Sequence, residues 1–328
     1  MRAFVSMAVV TGFAAVAPLP AQQAPGDADL REWPVDRGGR TRDPYVAPDG
    51  KVWFVGQNGN YVANLDPTSG AVRYYEIEAG TNPHTLIVGD DGIVWYAGNR
   101  NGRIGRLDPV SGRVRTFMTG EARDPHTMVF DGNGHIWFTS QSSNRVGRLN
   151  TETGEVRLVT PSETPSNPYG LVLDAEGNPW VMLLRTNMVV RIDPASFDLT
   201  HFEQAAAESR GRRLAWTDDG MVWYVDETRG YIGRIDTATR EVKEWLTPGG
   251  PDSDPYALTK DDQGRIWFSE TGPVKQLVGF DPRTEEFFSI SPVSGSIRNM
   301  YFHAETGTMW FGTDANHVGR IVTRRIVS

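Results

Sequence analysis

The sequence predicts an all-β chain: a seven-bladed β-propeller with four antiparallel strands per blade. Three observations predict it. Seven tryptophans, Trp53, Trp95, Trp137, Trp180, Trp223, Trp267 and Trp310, are spaced 42, 42, 43, 43, 44 and 43 residues apart. Each follows a turn ending in glycine, such as Asp49-Gly50, Asp91-Gly92 or Asn133-Gly134, and each is followed by Phe, Tyr or Val. Downstream of each comes a second short motif, among them VANLDP, IGRLDP, VVRIDP and VGRIV. A unit of about 40–45 residues made of short β-rich runs, repeated many times, is the signature of a propeller blade.

Within a unit four strands can be placed. Leu86-Ile87-Val88 leads through an Asp-Gly turn into Val94-Trp95-Tyr96, then Ile104-Gly105-Arg106-Leu107, then Val114-Arg115-Thr116-Phe117. Glycine-containing turns at every break are hairpin signals. The last unit has no fourth strand of its own, while Asp29-Leu30-Arg31-Glu32-Trp33 resembles the fourth strand Glu241-Val242-Lys243-Glu244-Trp245. The N-terminal strand is therefore expected to complete the last blade and hide sheet edges that would otherwise be exposed.

At the N-terminus, Met1-Arg2 precedes a mostly apolar run and then Pro18-Leu19-Pro20-Ala21. This reads as a signal peptide cleaved after Ala21, too short to span a bilayer. The expected organisation is a signal over 1–21, a disordered lead over 22–28 and a single propeller domain over 29–328, periplasmic or secreted and free of the membrane after cleavage. The 328 residues include no cysteine, which excludes disulfides, thiolate metal sites, iron–sulfur clusters and a cysteine nucleophile. A net charge of −8 with no basic run argues against nucleic acid as a partner. A monomer without an organic cofactor is expected.

Alternating strand direction puts the Asp-Gly turns on one face. The entry to each first strand and the exit of each second strand share the opposite face. Counting back eleven from each tryptophan gives Arg42, His84, His126, Tyr169, Arg212, Tyr256 and Asn299, with Pro44-Tyr45 as the alternative to Arg42 in the first unit. Counting forward three gives Gly56, Gly98, Ser140, Leu183, Asp226, Glu270 and Thr313. A ring of polar groups about an axis suits a small-molecule or peptide-like ligand. His84 and His126, in NPHT and DPHT, are the two of six histidines at equivalent positions on that face. They can serve as base and acid near neutral pH. Asp124, two residues before His126, can hold a hard cation or orient a histidine.

The repeat PHTxxxxDxGxIWF…RVGRL resembles the streptogramin lyase (virginiamycin B lyase) family over essentially the whole mature chain. The resemblance implies a seven-bladed propeller that opens ester-containing, depsipeptide-like substrates by elimination, with Mg²⁺ polarising a carbonyl beside the abstracted proton. It also implies a site of two histidines on adjacent blades, a tyrosine on the next, an acid two residues before the second histidine and a glutamate three after that blade's tryptophan. His84, His126 and Tyr169 match the first three, and Asp124 matches the acid. Ser140 stands where the glutamate is expected, with Gln141 and Glu270 as the nearest alternatives for a metal. Under this reading His126 is the general base, His84 and Tyr169 position substrate, and Arg100, Arg185 or Arg212 hold an anionic or carbonyl group, beside Tyr256 and Asn299.

Two other readings stay open. A non-catalytic exported propeller would bind a ligand or partner protein through the same face, since the fold by itself implies no chemistry. A calcium-dependent lactone hydrolase would need Asp226, Glu227 and Glu270 to converge on the axis.

Overall fold

The computed structural model describes residues 30–323, and the expected signal peptide and lead lie outside them. Seven four-stranded antiparallel sheets make up the described residues, with no helix among them. The innermost strands are Thr41–Val46, Pro83–Val88, Pro125–Phe130, Pro168–Leu173, Gly211–Thr217, Pro255–Lys260 and Ile297–His303. They touch in cyclic order, and Ile297–His303 packs on Thr41–Val46 to join blade 7 to blade 1. Blades 1–6 are each continuous in sequence. In blade 7 the outermost strand is Arg31–Pro34, antiparallel to His317–Val322, with Arg31 opposite Arg320 and Trp33 opposite Val318.

The repeat motif is one packing unit. Trp95, Trp137, Trp223 and Trp310 lie directly across from Arg106, Arg148, Arg234 and Arg320 of the third strand. Each guanidinium stands 5.5–5.9 Å from the indole centre, within cation–π range. The next aromatic along, Tyr96, Phe138, Tyr224 or Phe311, faces Gly105, Gly147, Gly233 or Gly319. A Cβ on any of these glycines would enter the ring opposite, so the aromatic after the tryptophan and the glycine before the arginine require one another. Fourth-strand aromatics cover the indoles: Phe117 stacks on Trp95 at 5.4 Å, Trp245 on Trp223 at 5.6 Å and Trp33 on Trp310 at 5.6 Å. Such offset stacks contribute roughly 0.5–1.5 kcal/mol beyond area burial.

The apolar cores lie between blades. One joins Ile87, Trp95 and Ala97 of blade 2 to Met128, Ile136 and Phe138 of blade 3. Every blade is thereby pressed by two neighbours onto the axis. The axial ends carry the irregularity that positions the site. Each inner strand has a register shift near its start, and in blades 2–7 it falls at the same two residues: 84/85, 126/127, 169/170, 212/213, 256/257 and 298/299. Two residues of the inner strand there oppose one of the second, a bulge that re-aims side chains.

Candidate functional site

The first bulge residue of blades 2–7, together with Arg42 immediately before the bulge of blade 1, forms an axial ring of Arg42, His84, His126, Tyr169, Arg212, Tyr256 and Arg298. This corrects one sequence expectation. Six residues separate Phe302 from Met309 in blade 7 where five separate Val88 from Val94 in blade 2. Counting back eleven from Trp310 therefore stops one short, and the ring position belongs to Arg298 rather than Asn299. The longer turn, Ala304-Glu305-Thr306-Gly307, was the available signal.

The ring is tightly self-packed. The imidazoles of His84 and His126 have centroids 3.5 Å apart, and Tyr169 stands 4.4 Å beyond His126. The hydroxyls of Tyr169 and Tyr256 share a hydrogen bond across the axis. The Arg212 guanidinium sits 5.2 Å from the Tyr169 ring centre and 4.9 Å from that of Tyr256, and Arg298 lies 4.8 Å from the latter. His84, His126, Tyr169 and Tyr256 are each no more than 4% exposed.

A second tier lies one residue further along each strand: Asp43, Thr85, Thr127, Gly170, Arg213, Ala257 and Asn299. Asp43 adopts a left-handed φ of 46° and its carboxylate accepts from Thr85 Oγ1 at 2.5 Å. Sequence reasoning passed over Arg213, which reaches across the axis from blade 5. It donates from Nη1 to Thr127 Oγ1 at 2.8 Å and from Nε to the Arg298 carbonyl at 3.2 Å, and its Nη2 lies 3.6 Å from Asp43. Gly170 leaves room for it, since a Cβ there would sit 2.6 Å from the Arg212 carbonyl and 2.9 Å from Arg213 Cα.

Four guanidiniums thus surround two imidazoles and two phenols. Burial, reinforced by Arg42, the neighbouring His126, Arg213 and Arg298, holds His84 well below the ordinary histidine range. Burial, then Arg213, Arg42 and Arg212, does the same to His126. Both are neutral at pH 7. Burial also raises Tyr169 above an ordinary phenol, with Tyr256 adding to the effect. Tyr256 shifts the other way: burial opposes ionisation, but Arg42, Arg212, the Tyr169 hydrogen bond and Arg298 together pull it below the ordinary value. Nη2 and Nε of Arg42, Nη2 of Arg213 and Nε of Arg298 are buried without a hydrogen-bond acceptor among the described residues. Buried donors of this kind call for an anion or a polarised carbonyl.

The residues considered for a metal do not fit one. Asp124 Oδ1 accepts from Ser140 Oγ at 2.5 Å, from Ser143 Oγ at 2.8 Å and from Ser143 N at 3.2 Å, while Oδ2 accepts from Ser142 N at 2.7 Å. Most of the carboxylate's acceptor capacity thus ties the loop after the second strand of blade 3. Ser140 serves as one of those donors. Gln141 is half-buried beside them. Glu270, on blade 6, accepts from Gly249 N at 2.9 Å and from Gln276. The acids weighed for calcium are also engaged: Asp226 by Arg210 N, Thr228 N and Arg229 Nε, and Glu227 by Arg212. Among the described residues no three His, Asp or Glu side chains group as a metal site.

Arg100 and Arg185 are exposed on the loops that leave the second strands of blades 2 and 4. Arg212 alone of the three substrate-holding candidates stands in the ring. Asn299, in the second tier, lines the axial cavity beneath it.

Residues 29–275 and 155–328 match the Virginiamycin B lyase family. Virginiamycin B lyase from Staphylococcus aureus, in selenomethionine-substituted form, superposes with a TM-score of 0.80 at 24% identity, covering 90% of this chain and 99% of that one. A catalytically inactive alanine variant of that enzyme, solved with quinupristin, gives 0.81 at the same identity and coverage. The extracellular domain of a hybrid two component system from B. thetaiotaomicron gives 0.70 at 16% identity, covering 90% of this chain and 43% of that one. At these identities the likeness is one of fold. No curated protein matches the chain.

Proposed function

This chain belongs to the virginiamycin B lyase family, and from that premise we propose that it is a carbon–oxygen lyase acting on ester-containing, depsipeptide-like substrates. The observation that carries the reading is the contiguous His84–His126–Tyr169 stack within a girdle of arginines. In the elimination, a neutral imidazole, His126, takes the proton from the carbon between the amide carbonyl and the ester-bearing carbon. The freed electron pair forms a carbon–carbon double bond, the ester C–O bond breaks, and the carboxylate departs. Negative charge develops first on the amide carbonyl and then on the leaving carboxylate. Arg42, Arg212 and Arg298 supply preorganised positive charge for both, the largest single term in many enzymes. His84 and Tyr169 hold the His126 ring in place. Since the loop holds Asp124 and Ser140 replaces a carboxylate, no step is assigned to a metal. The same field that stabilises the anion keeps His126 unprotonated.

The test is mass spectrometry of a cyclic streptogramin B depsipeptide incubated with the protein. A ring-opened product of unchanged mass, absent with His126→Ala, supports elimination. Gain of one water mass, or unchanged turnover by the variant, overturns it.

A second reading is favoured by one observation, the burial of His84, His126 and Tyr169, each no more than 4% exposed. On that reading the face binds a carbonyl-rich peptide-like ligand without turning it over. Calorimetric binding of the depsipeptide with no product would select it. We also propose export through the N-terminal segment, which N-terminal sequencing of protein recovered from the cell exterior would check.

A further inference from the structure

Beneath the second tier the axis opens into a cavity of about 910 Å³. Its walls come from the inner strands and are mainly apolar, with Ile87, Val129, Val172, Leu258, Met300 and Tyr301 among them. Its mouth lies among the glycine turns, beside Asp219 and Gly264, on the face opposite the His–Tyr ring. The inner end is polar: Thr85, Thr127, Asn299 and Arg213 line it, and none of the seven ring residues does. The Arg213 tier therefore separates two compartments, and the lyase reading makes no use of the lower one.

The closed end has an unmet chemical demand. Arg213 is 3% exposed, its Nη1 and Nε are engaged, and its Nη2 makes no hydrogen bond. The nearest charge, Asp43, lies 3.6 Å away and is itself shared with Arg42 at 3.8 Å. Two guanidiniums facing one carboxylate leave a net positive charge in a low-dielectric tube, where it acts far more strongly than in water. The hydroxyl of Thr85 is engaged with Asp43 and that of Thr127 with Arg213 and His126, which leaves the Asn299 side-chain amide beside that charge to orient an oxygen ligand. The volume falls within the range of ligand pockets, which combine apolar walls with a few convergent polar groups.

We propose that this cavity is a second binding site, for an amphiphilic carboxylate that enters tail-outward from the turn face. Its carboxylate accepts from the Asn299 side-chain amide at the closed end, within the field of the Arg213 guanidinium, and its apolar chain lies along Ile87, Val129 and Val172 toward the mouth. The site is independent of the ring above, since the Arg213 tier seals one from the other.

The experiment is isothermal titration of the full-length protein with decanoate, decanol and decylammonium at fixed pH and salt. Decanoate is expected to bind with one site per chain, at least tenfold more tightly than decanol, with decylammonium weakest. Val172→Trp, which fills the tube without touching the polar end, is expected to abolish binding, and Arg213→Gln to weaken decanoate tenfold or more while leaving decanol unchanged. Retained decanoate binding in Val172→Trp overturns the proposal even if Arg213→Gln fails to fold, as does equal affinity for all three probes or no binding at all. Binding that persists in His126→Ala separates this site from the proposed lyase site.

Discussion

Arg213, rooted in blade 5, donates from Nη1 to Thr127 Oγ1 in blade 3 at 2.8 Å. That contact spans the axis, and with the approach of Nη2 to Asp43 in blade 1 it ties three separate blades together. Replacing Arg213 by Met is expected to destabilise the fold by about 3–5 kcal/mol, because Asp43 loses a buried counter-charge. The His126 pKa should rise toward its ordinary value in the same variant. Urea denaturation and NMR titration of the His126 ring check the two effects separately.

Stability should fall on acidification through these histidines. Their folded pKa values are depressed, so between the unfolded value of about 6.5 and the folded one the unfolded chain binds more protons. Their contribution is fully present above that unfolded value and is lost as the pH drops below it. Each histidine adds a slope of about 1.4 kcal/mol per pH unit. Denaturant midpoints between neutral and mildly acidic pH, for the wild type and for His84→Gln/His126→Gln, should differ in slope by two protons.

The phenol pair should titrate unequally. Tyr256 is expected to ionise below the ordinary phenol value of about 10, because Arg42, Arg212 and Arg298 surround it, while Tyr169 stays protonated and donates to it. An ultraviolet tyrosinate signal on that early limb should vanish in Tyr256→Phe and persist in Tyr74→Phe.

Chelation provides another test. With Asp124 held by Ser140, Ser142 and Ser143, turnover of a depsipeptide is expected to stay within about twofold after EDTA treatment, a difference of under ~0.5 kcal/mol in the barrier. Asp124→Ala should instead loosen the loop at 140–143, read as faster amide exchange of Ser142 and Ser143.

The blade motif predicts a steric cost. Gly147→Ala drives a methyl into the Phe138 ring, for which overpacking costs roughly 1–3 kcal/mol. Phe138→Leu in the same chain should recover part of it, measured by thermal melting.

The repeat was legible because tryptophan, glycine and arginine each occupy a position where cross-strand packing admits little else. Six of seven ring residues followed from counting, since the turn between first and second strands has the same length in blades 1–6, although the bulge of blade 1 falls one residue later. Arg298 escaped because one added turn residue shifts blade 7. Arg213 escaped for a different reason: its partners Asp43, Thr127 and Arg298 lie in three other blades, a convergence that no local pattern encodes. Asp124 was read from spacing as a group to hold a hard cation or orient a histidine, but Ser140 at the end of its blade's second strand and Ser142 and Ser143 beyond it donate to its carboxylate. The axial cavity was not anticipated, because strand alternation assigns polar and apolar faces but gives no width to the tube they enclose.

The pairing of Arg31–Pro34 with His317–Val322 has a temporal meaning as well as a structural one. Six blades can assemble as the polypeptide emerges, yet Trp33, among the earliest described residues, waits for Trp310 before its ring is covered. Until then the sheet that will hold both stays incomplete, and the two tiers on the axis lack Arg298 and Asn299. Completion of the ligand-facing ring is thus tied to arrival of the last blade, so a prematurely truncated chain would carry the histidines without the finished cationic girdle around them. Residues 31 and 320 are neighbours in space, and a rearranged gene that links that junction and opens a surface turn between blades would change the order in which the girdle is assembled while keeping its geometry.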